Sequence, residues 1–432
     1  MYTSLRLPAP FRAFSHRNYV LWFFGQGISL IGTWMQTMAQ QVLVYRLTGS
    51  AASLGIISFI GLIPLVPLSL WGGSIVDRFP RRTVILITQV VMLAQAILLA
   101  LLTWSGRIQV WHVYLLAFFL GAANAVDMPA RQAFTVDMVE GKEDLTSAIG
   151  LNSAMFNGAR AIGPALAGIL VATTGEGNAF FFNGLTFVAV IISLIMMRNL
   201  PQPKSPVDRE ANPLNHMVAG VHFIVQRKEI LILVSLIAVS AYLSMPYNTL
   251  LPVFASVVLK PSAQPIVAWL CNPSNATLAC RAPEALPLGL LYSMIGVGAV
   301  VGALVVASLP NTARRGRLLT LGNLAFPLFL VLFAFSTHFS LSLLMTLFIG
   351  FSFVWQNALA NTLLQFVTPD GLRGRVMGVY TMSFQAMFRL GGLQAGFVAD
   401  WLGAPISVGI GATISLIYGL FIALRYPRVR NL

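Results

Sequence analysis

Long apolar stretches alternate with short polar turns along the whole chain. Each stretch has about 20 mostly apolar residues, which is the length that a helix needs to cross a bilayer. Turns such as those at 47–49, 105–107 and 175–177 separate the stretches. The pattern predicts twelve membrane-spanning helices, over residues 18–44, 51–75, 83–104, 111–131, 146–171, 179–198, 229–256, 287–309, 318–337, 340–363, 376–399 and 404–425.

The composition also indicates a membrane protein. Of the 432 residues, 57% are hydrophobic and 9% are charged, whereas a soluble domain usually has about 25% charged residues. The net charge of +14 does not indicate a nucleic-acid partner, because the cations lie in short turns between the apolar stretches. We therefore predict an all-α integral membrane protein, multi-pass in the bacterial inner (plasma) membrane and surrounded by the lipid bilayer.

The basic residues are distributed unequally between the two sets of turns. Most of the 27 Lys and Arg residues fall in turns on the side that also carries both chain ends. Loops rich in Lys and Arg stay in the cytoplasm. We therefore expect both termini to be cytoplasmic.

The two parts of the chain contain similar segments. Residues 145–156, LTSAIGLNSAMF, are echoed by residues 373–384, RGRVMGVYTMSF, and Arg160 is echoed one position late by Arg389. Basic turns also follow helix ends at corresponding places in both parts. We therefore predict two pseudo-symmetric six-helix bundles, over residues 1–198 and 229–432, joined by a cytoplasmic linker over residues 199–228.

Arg160 is the leading functional candidate. A cation at mid-membrane costs about 2.5–3.5 kcal/mol on insertion scales, and it is tolerated where it faces a partner or a wet cavity. Arg389 occupies the matching place in the second half. Gly163 and Pro164 follow Arg160, and we expect a bend there because proline removes one helical hydrogen bond and glycine frees the backbone.

The turn at 73–82 reads G-x-x-x-D-R-x-x-R-R. It resembles the signature of the major facilitator superfamily between helices two and three, with Pro80 where that signature usually has glycine. The resemblance implies the major facilitator fold and a cytoplasmic latch that includes Asp77, Arg78 and Arg81. The alternative, that these charges only set the topology, stays open.

Residues 150–168 resemble the antiporter motif of the same superfamily, with alanine at two of its glycine positions. Asp127-Met-Pro-Ala-Arg131 precedes this segment, and the combination is similar to the enterobactin-exporter and macrolide-efflux branch, the transmembrane secretion effectors. The resemblance implies secondary active export of small amphipathic molecules, siderophore-like or drug-like, by alternating access and proton antiport. A proton symporter or importer, or a lipid flippase of the same fold, is the alternative.

Few carboxylates fall near membrane depth. Asp127 lies near the cytoplasmic end of span four and Asp400 near the outer end of span eleven. Many proton-coupled exporters of the superfamily carry an acid in helix one, where this chain has glutamines, Gln36 among them. Asp127 is therefore either a titrating group or a latch partner for Arg78 or Arg81.

Amide side chains at membrane depth are further candidates for contact with a substrate. A cavity lined by amides and aromatic rings suits bulky, partly apolar substrates. Hydrogen bonds between helices need the same residue types, so both roles stay open for each position. The proposed substrate-contacting set is Gln36, Asn152, Asn157, Arg160, Asn357, Gln385 and Arg389.

Cys271 and Cys280 lie in a loop that we expect outside the membrane. The oxidising exterior favours a disulfide, and two free thiols are the alternative.

The sequence shows neither a phosphate-binding loop nor a pair of histidines spaced for a metal. We therefore expect a monomeric protein that is not an enzyme and uses no cofactor and no metal, with a small molecule and protons as its partners.

Overall fold

The computed structural model describes residues 8–200, 213–271, 280–310 and 314–430, and within these ranges the chain is helical with no strand. A 3-10 helix at Ala9–Ser15 comes first. The first half then contains α1 (Arg17–Thr48), α2 (Ala51–Ile60), α3 (Leu62–Arg78), α4 (Arg81–Trp104), α5 (Val110–Asp137), α6 (Lys142–Thr174) and α7 (Glu176–Met196).

The predicted linker contains α8, and the predicted second half follows it. Two π-helical segments, Ser240–Ser244 and Phe254–Val258, extend α9 and α10 into one continuous helix, Lys228–Val258. The helices are α8 (Pro213–Gln226), α9 (Lys228–Val239), α10 (Tyr247–Val253), α11 (Lys260–Leu270), α12 (Ala285–Ala307), α13 (Arg315–Ala334), α14 (Phe339–Val367), α15 (Asp370–Leu402), α16 (Ala404–Arg425) and α17 (Pro427–Arg430).

Nine helices in the described ranges are long and apolar enough to cross a membrane. Each of them coincides with a predicted span, so the prediction of an all-α membrane protein is confirmed. The other three predicted spans correspond to α1, to α2 with α3, and to α15, which are helical but are not among the nine. The count of twelve therefore stays a prediction.

The two halves meet along two pairs of helices, α6 with α12 and α2 with α15. Glycines make these contacts close. A Cβ atom on Gly289 would lie 2.6 Å from the carbonyl oxygen of Pro164, and one on Gly55 would lie 2.6 Å from the carbonyl oxygen of Gly392. A larger residue at Gly289 or Gly55 would force the helices apart.

The opposite ends of the same helices face open space. A Cβ atom on Gly150 or Gly158 of α6, or on Gly378 of α15, would have no neighbour within 4 Å. The halves are therefore in contact near the C-terminal ends of α6 and α15 and are separated by a gap near the N-terminal ends of these helices. We call the gap end the linker side, because α8 packs on α15 there, and the other end the disulfide side.

The disulfide side carries the two cysteines. Cys271 and Cys280 form a disulfide, with Cα atoms 5.5 Å apart. The backbone N–H of Arg281 donates to the carbonyl oxygen of Ala172 at 2.8 Å, so this loop is fixed to the end of α6. The disulfide therefore lies next to the closed contact between the halves.

Asp400 adds a polar contact to this closed end. Its carboxylate accepts hydrogen bonds from the Ser50 hydroxyl at 2.6 Å and from the backbone N–H groups of Ala51 at 2.6 Å and Ala52 at 3.2 Å. These N–H groups begin α2 and have no partner inside that helix. A carboxylate there also interacts favourably with the helix dipole. Asp400 of the second half therefore caps a helix of the first half, and we call this contact the Asp400 cap.

Asp400→Ala should weaken the closed disulfide side. Loss of a helix cap costs about 1 kcal/mol, which corresponds to a roughly fivefold larger open population. The measurement is the alkylation rate of a cysteine introduced at Thr249, which is 3% exposed, with an impermeant maleimide added from the disulfide side. Asp370→Ala is the control, because Asp370 starts the same helix and pairs locally with Arg373. Equal rates in the two variants would contradict a role for the Asp400 cap.

Candidate substrate-transport site

A cavity of about 470 Å³ lies on the linker side of the second half. Its polar wall is ordered by hydrogen bonds: the Tyr380 hydroxyl donates to Asn357 Oδ1 at 3.3 Å, and Asn357 Nδ2 donates to the carbonyl oxygen of Phe353 at 3.4 Å. The cavity is lined by Asn357, Ala358, Asn361, Tyr380, Thr381 and Phe384. Amides and aromatic rings together can hold a partly apolar solute.

Arg160 contacts aromatic rings from both halves. Its guanidinium carbon lies 5.8 Å from the ring centroid of Trp34 on α1 and 5.5 Å from that of Phe353 on α14. The Phe353 ring in turn lies 6.4 Å from the ring of Phe384, which lines the cavity. Arg160 is therefore connected to the cavity wall through its cation–π contact with Phe353 and the tilted ring contact between Phe353 and Phe384.

The backbone around Arg160 is held by both halves. One turn after Arg160, a Cβ atom on Gly163 would lie 2.7 Å from the carbonyl oxygen of Ile31 on α1, and Pro164 packs against Gly289 on α12. Pro164 lies within α6, where it removes the N–H that would bond the Arg160 carbonyl. Gly163 and Pro164 thus mark where the open part of α6 becomes the closed part.

Arg389 occupies a different environment from Arg160. Its Nη1 atom donates to the carbonyl oxygen of Ser58 at 3.1 Å, and its Nε atom is buried with no hydrogen-bond partner in the described parts of the chain. A Cβ atom on Gly61 would lie 2.7 Å from the same Nη1 atom. Arg389 therefore connects the two halves where α15 packs on α2. The α6–α12 contact is the other helix pair of this interface.

Two of the predicted amides connect helices of the first half. Gln36 donates to Gln95 at 2.9 Å and accepts from Asn183 at 2.6 Å. Asn152 also bonds two neighbours, accepting from the Tyr19 hydroxyl at 3.1 Å and donating to Thr135 at 3.2 Å. The structure therefore uses both amides for hydrogen bonds between helices and does not bring them to the cavity wall.

The remaining amides differ in position. Asn357 lines the cavity. Asn157 is partly exposed on the open part of α6 and donates to the carbonyl oxygen of Ser153 at 2.9 Å. Gln385 is partly buried next to Phe384 on α15. Among the amides, Asn357 has the strongest structural support for contact with a substrate.

Asp127 and Arg131 form a salt bridge one helical turn apart on α5. Asp127 is 2% exposed and also accepts from Thr88 at 2.6 Å and Gln89 at 3.2 Å. Arg131 donates further to Gln26 of α1. Asp127 is therefore surrounded by donors from α4 and α5, and its partner in this structure is Arg131, not Arg78 or Arg81.

The other predicted latch residues lie nearer the linker-side surface. Arg81 pairs with Asp137 at 2.6 Å. Arg78 is exposed and makes no ion pair within the described ranges. The side chain of Asp77 lies outside the described residues. The predicted contact of Asp77 with arginine therefore stays a prediction.

Phe353 and Tyr247 were not expected from the sequence. Phe353 lies over Arg160. Tyr247 is 1% exposed, and its hydroxyl has no hydrogen-bond partner among the described residues. Phe353 lies in a helix rich in aromatic residues and Tyr247 in a mostly apolar helix, so nothing in the local pattern distinguishes them from core residues.

The sequence profile of the transmembrane secretion effector family matches residues 8–431. The chain belongs to this family. The match confirms the expected branch of the major facilitator superfamily, and it identifies the chain as a multi-pass membrane transporter.

Named relatives and solved structures agree with this family. The chain is 25% identical over 386 residues to the Staphyloferrin A transporter of Staphylococcus aureus, which covers 88% of this chain and 90% of that protein. It is 25% identical over 402 residues to the enterobactin exporter EntS of Shigella flexneri, covering 93% and 87%. A crystal structure of a peptide transporter, POT, matches with a TM-score of 0.74 at 13% identity, covering 96% and 95%. This likeness confirms the major facilitator fold.

Arg131→Ala should destabilise this secretion-effector chain strongly. Removing one partner of a buried ion pair costs about 3–5 kcal/mol, and the donors from Thr88 and Gln89 place the expected loss near the lower value. The free energy of unfolding can be measured in mixed detergent–denaturant micelles. Arg78→Ala removes an arginine that makes no ion pair with the described residues, and it should cost less than about 0.5 kcal/mol. Similar losses in both variants would show that the Asp127–Arg131 pair contributes little to stability.

Proposed function

We propose that this chain exports small amphipathic molecules by alternating access, in exchange for protons. The observation that supports this most directly is the cavity on the linker side, with Arg160 close to the point where the halves close. A site between two halves that opens to one side at a time is the basis of alternating access. Siderophore-like solutes are the first candidates, because the named relatives are a Staphyloferrin A transporter and an enterobactin exporter.

We propose that the linker side is cytoplasmic. The support is the excess of Lys and Arg in the turns on that side, which keeps loops in the cytoplasm. In this orientation, the cavity loads from the cytoplasm of a bacterial inner membrane, and the disulfide lies outside. The unit of transport is then a single chain, because both halves of the site come from it.

In the proposed cycle, the two ends of the α6–α12 and α2–α15 contacts open alternately. The Asp400 cap and the bond from Arg389 to Ser58 support the state that is closed outside. Asp77, Arg78 and Arg81 are proposed to support the opposite state by closing the linker side. Each set consists of charges that act between helices, so their contacts can form in one state and break in the other.

Transport into inverted membrane vesicles tests direction and coupling. An imposed proton gradient, acidic inside the vesicle, should drive accumulation of a siderophore or dye, and a protonophore should abolish it. Addition of substrate should also dissipate part of the gradient. Accumulation that persists with a sodium gradient and no proton gradient would overturn proton coupling. Accumulation only in right-side-out vesicles would support the importer instead.

Arg160→Ala should abolish transport in the same vesicles while the protein still inserts and expresses. The reason is that Arg160 lies between aromatic rings of both halves and is not needed for an ion pair in the core. Arg107→Ala, on the exposed turn before α5, is the control and should retain transport. Wild-type transport by Arg160→Ala would remove Arg160 from the proposed site.

A further inference from the structure

The Arg160 guanidinium has no carboxylate partner in the part of the chain that the structure describes. The rings of Trp34 and Phe353 attract its positive charge. Contact with the ring faces leaves the Arg160 N–H groups able to donate hydrogen bonds. These N–H groups project in the plane of the guanidinium as a rigid fork. That fork matches a carboxylate, which accepts two parallel hydrogen bonds from it.

A second unused donor belongs to the group of aromatic side chains that contacts Arg160. The Tyr247 side chain is 1% exposed, and its hydroxyl has no hydrogen-bond partner in the described ranges. The Tyr247 ring lies 6.3 Å from the ring of Phe326, which lies 5.6 Å from the ring of Phe353. Burying a polar group without a partner is unfavourable. An acceptor oxygen placed between Arg160 and Tyr247 would satisfy both groups.

The carboxylates near membrane depth are already engaged elsewhere. Asp127 pairs with Arg131, and Glu176 accepts two hydrogen bonds from Arg46. Asp400 caps α2. None of these groups is available to neutralise Arg160, so the positive charge near the cavity is left for a ligand to balance.

We propose that Arg160 and Tyr247 hold a carboxylate, or a similarly planar oxyanion, of the transported solute. The apolar or aromatic part of the solute lies toward Phe384 and Tyr380 in the cavity. This substrate class, amphipathic anions and not organic cations, rests on the proposed transport function. An organic cation would be repelled by Arg160, and repulsion is strong where the effective dielectric constant is low.

The test measures binding, so that it does not depend on transport. Purified protein in phosphatidylcholine nanodiscs is titrated with three probes of one skeleton: 2-naphthoate, 2-naphthamide and 2-naphthylmethylamine. Naphthoate should bind at least about tenfold more tightly than naphthamide, as expected for hydrogen bonds to a charged group. The amine should bind most weakly. If naphthoate does not bind, or binds no better than naphthamide, the proposal is wrong.

Variants assign this preference to particular atoms. Arg160→Gln should bring the naphthoate-to-naphthamide ratio close to one, while Arg160→Lys should retain part of it because the charge remains without the planar fork. Tyr247→Phe should lower the ratio several-fold. Arg107→Gln controls for the loss of one positive charge. An unchanged ratio in Arg160→Gln would overturn the assignment.

An anionic lipid headgroup offers the same chemistry as a free carboxylate. Adding phosphatidylglycerol to the nanodiscs should leave naphthoate binding unchanged, because the cavity is expected to take a free solute. A loss of affinity of tenfold or more would assign the site to a lipid headgroup and overturn the solute proposal. If no solute is transported in vesicles but the carboxylate preference holds, the proposed function fails while the anion site stands.

Discussion

A partly buried arginine without a carboxylate partner among the described residues is the constraint on which the proposed site depends. Placing Arg160 at membrane depth is costly, and the structure compensates it with ring faces from Trp34 and Phe353, one from each half. The arrangement is satisfied only while both halves stay close to the guanidinium. Arg160 is therefore both a candidate substrate-binding residue and a link between the two halves. A change in the spacing of the halves changes its surroundings.

Glycine and proline residues determine where the spacing of the two halves can change. On the disulfide side, Gly289 and Gly55 let helices of opposite halves pack backbone to backbone. On the linker side, Gly150 and Gly378 face open space. The same two helices, α6 and α15, thus contain a closed part and an open part. In the proposed cycle, small residues at the open end permit an equally close contact in the state with a closed linker side.

The sequence predicts the fold well, because a bilayer imposes apolar length and loop charge on every span. It also makes Arg160 a candidate, since the cost of a cation at membrane depth is independent of the neighbours. It does not predict which amides reach the cavity: Gln36 bonds Gln95 and Asn183 inside the first half, as any interhelical glutamine would. The partner of an amide depends on helix rotation, which residue type alone does not specify.

The sequence also did not predict contacts between residues that are far apart in the chain. Asp400 was recognised as a carboxylate near membrane depth, but its bonds to Ser50 and Ala51 join residues far apart in the chain. Tyr247 was missed because its unpaired hydroxyl becomes evident only in the packed structure. Asp127 was expected either to titrate or to contact a linker-side arginine, whereas it pairs with Arg131. The spacing of four residues within a predicted helix is the signal that could have indicated this pair.

The central claim is that the two ends of the interface open in alternation around Arg160. Distances between spin labels, measured by double electron–electron resonance spectroscopy, test it most directly. One label pair is at positions 150 and 378, and a second pair is at positions 50 and 401. As the conformational equilibrium shifts during transport, the first distance should shorten while the second lengthens in the same sample. Two distances that change in the same direction, or a linker-side pair that never shortens, would contradict alternating access.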